Sequence, residues 1–115
     1  MTREQAILED VSRIAGVRSA LLVSADDGLV VAESALDDQP TEAAAAFAAR
    51  LAERLGTLTR TMGAPAMSVL LLQAKTGQLF VVNGSDGLLL VAVATNDVNI
   101  GEVRLALLDV AGRLH

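Results

Sequence analysis

The sequence has no cysteine, tryptophan or tyrosine, one histidine and a single lysine. Without cysteine there can be no disulfide, no thiolate nucleophile and no cysteine-held metal. A nucleophile activated by histidine needs that histidine held in place, and the only one, His115, is the last residue, where chains commonly fray. Lys75 falls in the turn sequence Lys75-Thr76-Gly77, which keeps it solvated and unsuited to Schiff-base chemistry. No Gly-x-x-x-x-Gly-Lys loop is present, and Gly84-Ser85-Asp86-Gly87 joins two apolar runs with no helix after it, so it reads as a turn and not a phosphate cradle. The acidic pairs Asp26-Asp27 and Asp37-Asp38 fall in loops, where turn and helix-cap duty accounts for them; a cation site would need folding to bring the pairs together. No catalytic, cofactor-binding or metal residue is therefore assigned, and the chain is expected not to be an enzyme.

Aromatic residues make up only 2% of the chain, and the net charge is −5. A protein that grips phosphate backbones or stacks bases needs the opposite of both, so nucleic acid is excluded as a partner class. An apolar run such as Leu88 to Ala94 is far short of the roughly 20 residues a membrane helix requires. The opening residues lack a signal-peptide apolar region, so no membrane insertion is expected and the protein is read as cytoplasmic. What is abundant is aliphatic: 52% of residues are hydrophobic, so the core is built from Leu, Val, Ile and Ala. The 115 residues fit one domain, 1–115, long enough to bury about two-thirds of the unfolded surface.

Along the chain, Thr2 and Gln5 have capping-box spacing, and Ile7, Leu8, Val11, Ile14 and Ala15 recur at helical intervals until Gly16. Residues 20–23 and 29–32 read as strands joined by Asp26-Asp27-Gly28, a hairpin signal, and should pair antiparallel. Asp38 or Thr41 caps a long helix from Glu42 to Met62, which Gly63-Ala64-Pro65 ends. Three more strands, 69–72, 79–82 and 88–94, form a meander, and Asn99 with Glu102 opens a last helix carrying Val103, Leu107, Val110, Ala111 and Leu114 on one face. The strands are apolar at consecutive positions, which implies burial on both faces. The predicted fold is an α+β three-layer sandwich: a five-stranded antiparallel sheet with the long helix on one face and two helices on the other.

At about 100° per residue the long helix sorts into three faces. Ala44, Phe47, Ala48, Leu51, Leu55, Leu58 and Met62 form an apolar stripe expected to pack on the sheet. A second stripe, Ala45, Ala49, Ala52 and Gly56, is uniformly small: either a seam that lets another helix approach closely, or good helix formers on a solvated surface. The third carries Arg50, Glu53, Arg54, Thr57, Arg60 and Thr61: either a solvated face of Glu–Arg pairs or a strip for a partner.

The order helix, two strands, long helix, three strands, helix resembles the Roadblock family of dynein light-chain type. So do the hairpin Leu21 to Ala32, the Ala-rich helix closing at Met62-Gly63, and Leu79-Phe80-Val81-Val82-Asn83-Gly84 followed by Leu88 to Val93. The resemblance implies a profilin-like fold that forms a homodimer, its second helices packing together and its third strands, here Val69, Leu70, Leu71 and Leu72, pairing into one continuous sheet. If the first hairpin joins the sheet beside the last strand, residues 69–72 form an apolar edge, which self-pairing would cover. The small stripe Ala45, Ala49, Ala52 and Gly56 is then the expected helix seam. Members of the family act as motor adaptors or as regulators and scaffolds of small Ras-like GTPases, in bacteria of a polarity or gliding-motility GTPase. By that resemblance Arg50, Glu53, Arg54 and Thr57 become candidates for GTPase contact. Two other readings stay open: a small-ligand sensor, disfavoured by strands with few polar groups to converge on a ligand, and a purely structural assembly subunit.

Overall fold

A computed structural model describes residues 3–35, 40–63, 69–84 and 87–113. The proposed Thr2 and Asp38 caps, the Asp37-Asp38 pair, Ala64-Pro65, Ser85-Asp86, Leu114 and His115 lie outside them. The elements are α1 (Arg3–Ser12), β1 (Val17–Ser24), β2 (Val30–Ala35), α2 (Thr41–Met62), β3 (Val69–Ala74), β4 (Gly77–Asn83), β5 (Leu88–Ala94) and α3 (Ile100–Arg113). The five strands form one antiparallel sheet in the order β2-β1-β5-β4-β3, so the first hairpin joins beside the last strand and β3 is an edge.

Local chemistry sets several boundaries. In the β1–β2 turn the Asp27 carboxylate accepts the Leu29 amide at 3.1 Å, and Gly28 adopts φ +74°, a conformation that favours glycine. Asn99 caps α3 as its spacing predicts, its Oδ1 accepting the Glu102 amide at 3.0 Å. Gly63, at φ +69°, closes α2 in a left-handed cap. At the other end of α2 the capping expectation fails. Thr41 is the first helical residue and Pro40 occupies the cap position, with no side-chain hydrogen bond there. α1 stops at Ser12, leaving Ala15 exposed in the turn that follows.

α1 and α3 cover one face of the sheet and α2 the other. On the first, Leu8, Val11, Val103 and Leu107 close over Leu22, Phe80, Leu90 and Ala92; on the second, Ala45, Ala48 and Ala49 meet Leu21, Val23, Val81, Leu89 and Val91. The three central strands, β1, β5 and β4, are buried on both faces, as their unbroken apolar runs imply. The edges depart from that expectation: β2 alternates between half-buried and exposed residues, and β3 grades from half-buried Val69 to exposed Ala74. An edge strand has a neighbour on one side only, so less of its surface is covered.

Candidate interaction surface

The division of α2 is the central feature of the surface, and it corrects the expected assignment of faces. The small stripe, not the large one, packs on the sheet. Ala45 and Ala49 are buried there, Ala52 packs against the same cluster and Gly56 is half-buried. Ala45 and Ala49 are therefore not available as a surface seam, while Ala52 and Gly56 lie at its margin. Of the stripe expected to face the sheet, only Ala48 is fully buried; Ala44, Leu51 and Leu55 are half-buried, while Phe47, Leu58 and Met62 are 49%, 51% and 70% exposed. The physical reason is the hairpin turn beneath the helix. A Cβ on Gly28 would lie 3.3 Å from Ala46 Cα and 3.6 Å from Ala49 Cβ, so backbone meets helix at a distance that only small side chains allow.

α2 lies over β1, β2 and β5 and reaches Val81 of β4, which leaves Leu79 on the same face of β4, and β3, beside it instead of beneath it. Leu79 and Leu70 are half-buried there and Leu72 is exposed, whereas Val69 and Leu71 turn to the opposite face. Between this part of the sheet and the outward stripe of α2 runs a hollow of 460 Å³, lined by Ala44, Phe47, Leu72, Leu79 and Val93, with Arg18 among its polar residues. The surface is thus a ledge of large apolar side chains ending at the open backbone of an edge strand. Such a surface invites both burial and strand pairing.

The remaining face of α2 is polar. Arg50, Glu53, Arg54, Thr57, Arg60 and Thr61 are all exposed, as the spacing predicts. Thr57 and Thr61 turn their hydroxyls back to the Glu53 and Thr57 carbonyls at 3.1 and 2.9 Å, and Arg60 reaches Thr57 Oγ1 at 3.2 Å. The described ion pairs, Arg13–Asp10 and Arg113–Asp109, lie on other helices. Among the described residues Arg50, Glu53 and Arg54 form none, so the Glu–Arg pairing of a merely solvated face is absent here. At about 100° per residue the strip is centred about 110° from the small stripe and about 130° from the large apolar one.

On its hairpin side α2 borders a second hollow of 410 Å³, with Ala25, Ala52, Gly56 and Leu89 beside Asp26, Glu53, Arg60 and Asn83. Among the described residues no group of His, Cys, Asp or Glu side chains is arranged to hold a metal ion. No helix of the described residues is long and apolar enough to cross a membrane.

A five-stranded antiparallel sheet between one long helix and a helix pair is the profilin-like architecture. The chain shares it with profilin II of Acanthamoeba castellanii at 18% identity and a TM-score of 0.60, over 96% of this chain and 94% of that one. Within that architecture, residues 4–94 match the model of the Roadblock/LC7 domain. The chain belongs to the Roadblock/LC7 family. Myxococcus xanthus MglB superposes with a TM-score of 0.88 at 18% identity, over 99% of this chain and 93% of that one. An MglB in a tetrameric arrangement gives 0.85 at 26% identity, over 95% and 82%. No curated protein sequence matches the chain significantly.

Proposed function

We propose that the chain is a non-catalytic homodimeric interaction module that binds a small Ras-like GTPase and regulates or scaffolds it in the cytoplasm. The observation that carries this reading is the large apolar stripe of α2, left in solvent beside an open strand edge. Antiparallel pairing of two such helices about a twofold axis sets Phe47 against Met62 and Leu51 against Leu58 of the second copy, with Leu55 near the axis. In the same arrangement β3 pairs with its own copy through the backbone of residues 69–72, and Leu70 and Leu72 are covered from the helix side. The interface is therefore assigned to the large stripe and β3, replacing the small stripe of Ala45, Ala49, Ala52 and Gly56.

Two copies of the polar strip then lie side by side on the surface facing away from the sheet. Arg50, Glu53, Arg54 and Thr57 of each copy make a platform, and its guanidinium groups, which form no ion pair among the described residues, are available to acidic or hydroxylated groups of a partner. Family membership supports the GTPase as that partner, and the tetrameric MglB supports self-association of the fold. The test is capture on the immobilised protein from a lysate supplied with GDP or a non-hydrolysable GTP analogue. Retention of a Ras-like GTPase in one nucleotide state is expected. Its absence in both states would shift the reading to a structural assembly subunit.

A further inference from the structure

The two edges of the sheet differ in one respect that bears on assembly. Their hydrogen-bonding direction follows from two turn contacts: the Ser24 amide donates to the Leu29 carbonyl on the β2 side at 2.9 Å, and the Ala25 amide donates to the Gly87 carbonyl on the β5 side at 2.8 Å. Successive residues of a strand point their backbone groups to opposite sides. Leu22 and Ala20 therefore bond toward β2, and their register partners Ala32 and Ser34 bond back. Glu33, between those two, presents its amide and carbonyl to the open edge.

That outward carbonyl is occupied. Gln5 on α1 donates its side-chain amide to it at 2.8 Å. α1 is fixed in place by the buried Ile7, Leu8 and Val11 and by a 2.9 Å contact between the Ser12 and Ser34 hydroxyls. The strand is further interrupted by a register shift opposite Leu22 and Val23, and Glu33 adds an exposed charge. Protection matters here because the edge is not otherwise polar: Val31 is 56% exposed. At the β3 edge, residues 69–72 are all aliphatic and carry no charge of their own.

We propose that α1 closes the β2 edge against strand addition, with Gln5 as the closing side chain, so that the sheet extends only through β3 and assembly by strand pairing ends at two copies. The inference rests on the dimer reading for what happens at β3; closure at β2 stands or falls separately. The experiment compares the purified wild-type protein, Gln5→Met/Glu33→Thr and Glu33→Thr by sedimentation velocity and light scattering over a range of concentrations. Methionine keeps the length and helix preference of glutamine but has no N–H to donate.

The wild-type protein and Glu33→Thr are expected at one dimeric mass, while the double variant rises with concentration to at least twice that mass. A folded double variant that keeps the wild-type mass throughout overturns the proposal, as does equal growth of Glu33→Thr alone, which would assign closure to the charge. Should the double variant lack the native far-ultraviolet circular dichroism, Gln5→Ala is judged by the same mass criterion. A monomeric wild-type protein would instead sink the dimer reading, leaving the comparison between variant and wild type intact.

Discussion

Two glycines with nearly the same backbone conformation separate the cost of conformation from the cost of contact. Gly28 at φ +74° sits against α2, whereas Gly63 at φ +69° has nothing among the described residues within 4 Å of the position a Cβ would take. Gly63→Ala meets only the left-handed penalty, about 1–2 kcal/mol. Gly28→Ala meets that penalty and also forces the hairpin and helix apart. It is expected to destabilise the protein by about 2–4 kcal/mol in urea unfolding, combining the conformational cost with overpacking. Equal losses would mean that the turn can retreat freely from the helix. Asn99→Ala removes the acceptor for the Glu102 amide and should cost about 1 kcal/mol by the same measurement. Both the Asp-Gly turn and the Asn99 cap were legible from sequence because each depends on chemistry within a few residues. The α2 cap was not, because Pro40 leaves the helix entry without a side-chain acceptor.

At the scale of elements, the antiparallel hairpins and the helix layers on both faces of the sheet follow from the apolar runs and short turns, whereas the place of the first hairpin beside β5 was only a condition until the strand order showed it. The orientation of α2 does not follow from them either. Periodicity identifies two apolar stripes about 110° apart, and the general tendency of large side chains to be buried favours the wrong one. What decides is the close approach of the hairpin at Gly28, a contact between residues about twenty positions apart that periodicity cannot register. The two assignments make opposite predictions. Ala49→Leu inserts bulk between helix and sheet, so it should lower stability by about 1–3 kcal/mol. Leu58→Asp lies on the outward stripe and should leave the monomer fold intact while abolishing the proposed dimer, seen as a halved mass in light scattering. If Ala49→Leu were tolerated and Leu58→Asp unfolded the chain, the original assignment would be restored.

For the whole molecule, the proposed dimer gives three surfaces of α2 three separate tasks: Ala45 and Ala49 hold the sheet, Phe47 to Met62 would meet a second copy, and Arg50, Arg54 and Thr57 would face outward from the pair. A twofold dimer places both polar strips on one side, so each substitution there is doubled across the platform. Exposed charges at the rim of an interface govern association rate and orientation more than they govern the folded state. Arg50→Glu/Arg54→Glu is therefore expected to leave thermal stability and dimer mass near wild type. Binding of a Ras-like GTPase should weaken by at least about tenfold, roughly 1.4 kcal/mol, with a shallower dependence of the remaining binding on salt. Surface plasmon resonance at two ionic strengths reads both effects. Unaltered affinity in the dimeric variant would remove the partner from the α2 platform, and the broad exposed face of α3, with Leu105 at its centre, would become the next surface to test.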